Sequence, residues 1–243
     1  MCVAVAAWFA HPRWRLVAIG NRDEYHERPA FPLERWTDGS GIIAGRDLRA
    51  GGTWLGVGEA GRFALVTNFR VPGYPKLGMA SRGALVSDWL EAGTLDLTLE
   101  MNPFNLFVAD ETELRLITNY PAAADRILPP GVHSLSNGAF DRPWPKSRAL
   151  CASLADWLDG SAENFAPLFA ALADRTKFSA GSEPDDGPEP HYSPVFIADP
   201  VYGTRCSTII AIDHTGRGTM TERRFTADAM PSGETSLAIE AAA

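Results

Sequence analysis

The sequence is short of lysine and has neither a block of basic residues nor a long apolar run. Its lysines are Lys76, Lys146 and Lys177, and its formal net charge is −8. A chain with this acidic balance does not attract phosphate backbones or anionic lipid surfaces. No apolar run approaches the roughly 20 residues that a membrane-spanning helix needs. We therefore expect neither a nucleic-acid partner nor a membrane span.

Cysteine is also scarce. Cys2, Cys151 and Cys206 are odd in number and far apart, which argues against a disulfide framework and against a zinc-finger pattern. Residues 2–10 are apolar but lack a basic leader and a cleavage site, so we do not predict a signal peptide. Free thiols without a leader predict a cytoplasmic location.

The apolar content is sufficient for one large core, because 45% of the 243 residues are hydrophobic. We predict a single domain over 1–226, which contains a mobile acidic loop rich in Gly and Pro at 181–194. Regular structure is expected to end at Phe225. The polar, Ala-rich tail 227–243 is expected to be partly disordered.

The order of the apolar segments predicts an α+β fold. Roughly ten strands in hairpins are indicated, among them 195–197, whereas two prolines make 26–32 an irregular segment. Helices grouped mid-chain predict two packed, mostly antiparallel sheets with helices outside. Three apolar stripes mark these helices, and they contain Leu85, Val86, Trp89 and Leu90, then Leu150, Leu154, Trp157 and Leu158, then Phe165, Leu168, Phe169 and Leu172.

The first 24 residues read as a hairpin followed by a polar run. Apolar residues 2–9 and 14–19 flank a turn at 11–13, and Gly20 is expected to break the second strand. Antiparallel pairing would bring Cys2 to the open end of the hairpin, beside Asn-Arg-Asp-Glu at 21–24. A thiol, Arg22 and Asp23 would then lie within a few ångströms of each other.

This placement matters because a cysteine in second position is small enough for the initiator methionine to be removed. Cys2 would then carry an α-amine whose ordinary pKa of roughly 7.7–8.0 suits a general base near neutral pH. Arg22 would favour the thiolate, and Asp23 could orient the amine. The hairpin alone favours a different interpretation, in which Cys2 is a small buried hydrophobe and 21–24 is a solvated turn.

Two further side chains are candidates for the site. Asn68 follows an apolar strand and could donate to a developing oxyanion, although its spacing favours a turn-capping role. Arg205 precedes a strongly apolar strand, where a guanidinium is costly to bury without an acidic partner.

Taken together, the motifs resemble the NRDE family of transport and Golgi organisation protein 2-like proteins. No single motif is specific, but they occur in family order across residues 1–225. They are Met1-Cys2, the Asn-Arg-Asp-Glu run with Arg28-Pro29, Gly51-Gly52-Thr53-Trp54-Leu55-Gly56, Thr67-Asn68, Arg82-Gly83, Phe104-Asn105-Leu106, Leu135-Ser136-Asn137, Pro143-Trp144, Tyr202-Gly203-Thr204-Arg205 and Thr221-Glu222-Arg223.

The resemblance implies a four-layer αββα sandwich of the N-terminal-nucleophile (Ntn) hydrolase type. It also implies that Cys2 is the nucleophile with its own amine as base, and that Arg22 and Asp23 support it. By the same resemblance, Asn68 and Asn137 are the oxyanion and amine-orienting donors, and Arg205 is the late arginine of the site. The spacing differs from that of the related acylases, so the acidic role is open between Asp23 and Glu24.

Three functions follow as hypotheses. The first is an Ntn-type hydrolase of a non-peptide amide in a small molecule, which requires no cofactor. The second is a haem-binding or haem-trafficking protein, which needs a His, Cys or Tyr as axial ligand; no histidine stands out for this role. The third is a non-catalytic interaction module.

The hydrolase hypothesis requires that Cys2 become the first residue. We expect the intact mass of the purified protein to be lower than that of the full sequence by one methionine. A mass that still includes Met1 would contradict the amine-as-base mechanism.

Overall fold

The computed structural model describes residues 2–178 and 188–241. Within these ranges it has three α-helices and thirteen strands. In chain order they are β1 (Val3–Trp8), β2 (Trp14–Tyr25), β3 (Ala30–Arg35), β4 (Ile43–Asp47), β5 (Leu55–Val57), β6 (Phe63–Asn68), α1 (Arg82–Ala92), β7 (Phe104–Ala109), β8 (Leu114–Thr118), β9 (Ala124–Leu128), β10 (Gly131–Leu135), α2 (Pro145–Asp159), α3 (Ala166–Leu172), β11 (Tyr202–Asp213), β12 (Gly218–Phe225) and β13 (Pro231–Ile239).

The strands form two sheets whose neighbouring strands are all antiparallel. The six-stranded sheet has the order β10-β1-β2-β11-β12-β13, and the seven-stranded sheet runs in sequence order from β3 to β9. None of the helices in the described ranges is both long enough and apolar enough to cross a membrane.

Three apolar cores define the layers. One core, with Leu16 and Phe107, fills the space between the two sheets. The second packs α2 and α3 on the six-stranded sheet, and the third packs α1 on the seven-stranded sheet. The order of layers is therefore α2/α3, six strands, seven strands, α1, and the expected αββα sandwich is confirmed.

The three helices form where the apolar stripes indicate. α1 ends at Gly93, whose φ of 68° suits a residue without a side chain, and α2 has Pro145 in its first turn. Their stripe residues are buried, as expected for core faces, except Phe165, which precedes α3 and is partly buried.

The prediction that Gly20 breaks the second strand is wrong. β2 continues without interruption to Tyr25, so the Asn-Arg-Asp-Glu run lies within the strand. A Cβ on Gly20 would lie 2.9 Å from the Cβ of Ala4, so this glycine permits close contact with β1.

Other differences have similarly local causes. Residues 30–35 form the edge strand β3, because an edge tolerates Pro32 and the ladder is irregular between Phe31 and Glu34. Residues 195–197 are buried but are not a strand, since the Ile197 N–H donates to the side chain of Thr204.

Regular structure does not end at Phe225. β13 pairs with β12 along its length, and Ile239 packs into the core between the sheets. The expectation of partial disorder in 227–243 is therefore wrong for residues 231–239. Residues 181–187 of the predicted mobile loop and 242–243 of the tail lie outside the described residues.

One buried carboxylate ties the two sheets together. Glu222 of β12 is 5% exposed, and its Oε1 accepts a hydrogen bond of 2.9 Å from the backbone N–H of Leu33 in β3. Arg224 supplies the counter-charge at 3.2 Å. This gives a structural reason for the glutamate of the Thr-Glu-Arg motif.

We expect Glu222→Ala to lower the free energy of unfolding by about 1–3 kcal/mol, because it leaves the buried Leu33 N–H without an acceptor. Urea denaturation measures this loss. The matched control is Glu234→Ala, which removes an exposed partner of Arg223 and should cost under about 1 kcal/mol. Equal losses in the two variants would refute the role of Glu222.

Candidate active site

A cleft of about 850 Å³ opens between the two sheets at the end where β2 carries its polar run. Cys2, Arg22 and Asp23 line it from the six-stranded sheet. Asp47 and Asn68 line it from the seven-stranded sheet, at the ends of β4 and β6. The cleft is large enough for a small organic molecule.

The strand register places Cys2 against the polar run. Val3 lies opposite Asn21, so Cys2 lies beside Arg22 and Asp23. The thiol donates to the backbone oxygen of Asp23 at 3.6 Å and accepts from its N–H at 3.4 Å. The predicted proximity is therefore present.

Burial of the thiol favours its protonated form. Burial raises the pKa of Cys2 above its usual value, and the negative charge of Asp23 raises it further. The positive charge of Arg22 lowers the pKa of Cys2, but this effect is smaller than those of burial and of Asp23. Attack by this sulfur therefore requires a base to take its proton.

Asp23, not Glu24, is the carboxylate beneath Cys2. It is 3% exposed, and its Oδ1 accepts a hydrogen bond of 2.7 Å from Thr204. Burial raises the pKa of Asp23. Glu24 lies in the cleft, where its Oε2 is 3.9 Å from Arg22 and 3.7 Å from Arg28.

Arg22 is part of a charge network that crosses between the sheets. Its Nη2 is 3.3 Å from Asp47 of β4, and Arg28 binds the same carboxylate at 2.6 Å. The network holds the mouth of the cleft together and leaves Arg22 with a structural partner on the opposite wall.

The two asparagines differ in what they offer. Asn68 is exposed to the cleft, and its carboxamide makes no hydrogen bond with the residues that the structure describes. Asn137 is 3% exposed, and its Nδ2 already donates to the backbone oxygen of Asn68 at 2.7 Å. Its buried Oδ1 accepts no hydrogen bond within 2–178 and 188–241. Asn68 can therefore donate to a ligand, whereas the unused atom of Asn137 is an acceptor, its Oδ1.

Arg205 lines the cleft without the acidic partner that its burial suggested. Its Nη1 donates to the backbone oxygens of Tyr25 at 2.9 Å and Arg28 at 3.0 Å. No carboxylate of the described chain lies within 4.0 Å of it, and burial lowers its pKa. The guanidinium thus fixes the end of β2.

Lys146 is the functional candidate that sequence reasoning missed. It lies in the first turn of α2, is 1% exposed, and its charge opposes the effect of burial on the pKa of Asp23. Burial lowers the pKa of Lys146 itself, and Asp23 counteracts this. The signal was its spacing of four from Leu150, which places a lysine on the apolar stripe.

The described lining of the cleft offers haem iron no histidine ligand. That lining contains Cys2, Cys206, Tyr25 and Tyr202 but no histidine. Burial raises the pKa of both thiols and of Tyr202, so none of them is readily deprotonated.

Two solved structures of one hydrolase share this architecture. A variant of the conjugated bile acid hydrolase from Clostridium perfringens has a TM-score of 0.57 at 8% identity, with 98% of this chain and 92% of that chain covered. A second variant of that enzyme has a TM-score of 0.50 at 9% identity, covering 99% and 98%. The fold is that of the N-terminal-nucleophile hydrolases.

The chain belongs to the Transport and Golgi organisation 2 family, whose profile matches residues 1–227. The human Transport and Golgi organization protein 2 homolog is 31% identical over 244 residues, which cover 86% of each chain. The Drosophila melanogaster protein of the same name is 24% identical over 250 residues, covering 88% of each. The family resemblance drawn from the motifs is confirmed.

We expect Lys146→Met to lower the free energy of unfolding by about 1–3 kcal/mol, because the buried Asp23 carboxylate loses one of the positive charges that act on it. Chemical denaturation of Lys146→Met and of Lys146→Met/Asp23→Asn measures this, and the double variant should recover part of the loss. Lys76→Met, which removes a lysine from the exposed rim, should stay within about 0.5 kcal/mol. A cost for Lys146→Met no larger than that of Lys76→Met would rule out the buried pair.

Proposed function

We propose that this protein hydrolyses a non-peptide amide bond by an N-terminal-nucleophile mechanism, with Cys2 as nucleophile once Met1 is removed. One observation carries the proposal. The Cys2 thiol is held against the backbone of Asp23 in a cleft that the unpartnered carboxamide of Asn68 also faces. A nucleophile and an oxyanion donor thus share one cavity.

The base is the α-amine of Cys2. Because the pKa of the thiol is raised, the amine takes the thiol proton as the sulfur attacks the amide carbonyl carbon. The carbonyl oxygen becomes an oxyanion, and Asn68 Nδ2 is positioned to donate to such an oxygen in the cleft. The protonated amine then delivers the proton to the leaving nitrogen, and the C–N bond breaks.

Water completes the reaction. It attacks the thioester carbonyl while the amine takes a proton from it, and the thiol is regenerated as the carboxylic acid leaves. Consumption of one amide and one water yields one acid and one amine, so no cofactor is required.

Asn137 is assigned the role of orienting the amine, as an acceptor rather than as a donor. Ala4 pairs with Leu135, so continuing the antiparallel register by two residues brings Asn137 opposite Cys2. Its buried Oδ1 is suited to receive an N–H of the Cys2 ammonium. Asp23 supplies negative charge beneath the same residue.

The fold neighbour supports hydrolysis as a class of reaction. That enzyme is by name a hydrolase of conjugated bile acids. We carry over to this chain only the reaction type, and the predicted cytoplasmic location accompanies it as part of the proposal because it would keep the Cys2 thiol reduced.

Labelling with a thiol-reactive acyl probe tests the nucleophile. We expect acylation of the wild type and of Cys151→Ala at equal rates, and its loss in Cys2→Ala. Intact-mass kinetics measure the adduct. Labelling of Cys2→Ala at the wild-type rate would remove Cys2 from the mechanism.

A second variant separates the amine from the thiol. A chain extended by a few residues before Cys2 keeps the sulfur but lacks a free amine there. Its rate of acylation by the probe should fall about 10²–10⁴-fold, which is the typical contribution of a general base. An unchanged rate would show that another group takes the proton.

A further inference from the structure

The charge of the cleft is opposite to that of the chain. The whole sequence has 30 acidic and 22 basic residues. Among the lining residues, eight are arginine or lysine and four are aspartate or glutamate. Low-dielectric walls concentrate such a field inside a cleft, so the surplus acts on whatever binds there.

Half of these cations are already neutralised by partners. Arg22 and Arg28 bind Asp47, Arg46 binds Asp38, and Arg224 binds Glu222. The positive surplus therefore rests on the remaining four, which are Arg49, Lys76, Arg82 and Arg205.

Two of these four are held rigidly. The Nη1 of Arg82 donates to the backbone oxygen of Pro103 at 3.2 Å, and the Nη1 of Arg205 donates to two backbone oxygens. Neither guanidinium has a carboxylate within 4.0 Å among the described residues. In both, the Nε–Nη2 edge makes no hydrogen bond to the described chain.

That free edge has a specific chemistry. The two parallel N–H groups of a guanidinium match the two oxygens of a carboxylate, sulfonate or phosphate. A guanidinium already fixed at Nη1 loses little freedom when such a group binds.

We propose that the cleft binds a substrate bearing an oxyanionic group, which the free Nε–Nη2 edges of Arg82 and Arg205 recognise. This inference rests on the hydrolase proposal, because the bound molecule is a substrate only if the protein is a hydrolase. The amide that is cleaved would then carry a carboxylate, sulfonate or phosphate on one of its two halves. Both arginines line the cavity that holds Cys2.

Arg82 also lies within electrostatic reach of the nucleophile. Burial lowers the pKa of Arg82, and a negative charge on Cys2 opposes that effect. An anion bound there would therefore lie close to the reacting sulfur.

Paired alkylating reagents test the inference without any hydrolysis. Iodoacetate is anionic and iodoacetamide is neutral, and both alkylate cysteine. We expect the ratio of their rates, iodoacetate over iodoacetamide, to be at least about threefold higher at Cys2 than at Cys151 of the same chain at low salt. Peptide mass spectrometry measures both sites in one sample.

The variants assign the effect. Arg82→Gln and Arg205→Gln should each lower the ratio at Cys2, whereas Arg126→Gln, which removes an exposed arginine of β9, should not. In the unaltered chain, 0.5 M NaCl should remove the difference in this rate ratio between Cys2 and Cys151. This salt test does not depend on whether the variants fold. A ratio at Cys2 equal to that at Cys151, or one unchanged in both arginine variants, would overturn the inference.

The class of oxyanion is resolved by protection. The rate of Cys2 alkylation by iodoacetamide is measured in acetate, methanesulfonate or inorganic phosphate. Each rate is compared with the rate in chloride at equal ionic strength. The anion that slows alkylation most identifies the class of oxyanion that binds. If no anion slows alkylation more than chloride does, the proposed site is contradicted. If the acyl probe does not label Cys2 of the wild type, the hydrolase proposal is refuted. The alkylation rates of Cys2 can still be measured in that case, so the two failures are distinguishable.

Discussion

The account depends on the antiparallel pairing of β1 with β2. Val3 lies opposite Asn21, and a slip of one residue would exchange the two faces of one strand relative to the other. With that register, Cys2 must lie against the backbone of Asp23, and Asn137 must follow β10 on the other side of β1. The six-stranded sheet thus positions the thiol, the carboxylate and the buried amide oxygen before any ligand binds.

Alternation along β2 gives its polar residues different environments. Arg22 points toward the seven-stranded sheet and meets Asp47, whereas Asn21 points toward the helices and donates to the backbone oxygen of Leu172. Asp23 therefore lies on the helix side, where Lys146 compensates its charge. One strand builds both the wall of the cleft and the buried support beside Cys2, and this explains why four consecutive polar residues form a motif in a buried strand.

Much of this was predictable from local pattern. The hairpin, the three helical stripes, the αββα layers and the proximity of Cys2 to Asp23 follow from periodicity and from the family motifs.

The predictions that were wrong or missing concerned features that depend on tertiary contacts. Gly20 was taken as a strand break because its close contact with Ala4 cannot be read from one strand. β13 was missed because it is mostly exposed and its strand structure depends on pairing with β12. Lys146 was missed because a lysine on an apolar stripe is interpretable only when Asp23 is known to lie opposite. The bonds of Asn137 and Arg205 to backbone oxygens were likewise not readable from the sequence.

A crystal structure of the chain that begins at Cys2 tests the central claim most directly. The account predicts that the α-amine nitrogen lies about 2.7–3.2 Å from the Oδ1 of Asn137 and within hydrogen-bonding reach of its own thiol. An amine directed into solvent, with Asn137 Oδ1 satisfied by another group, would contradict it.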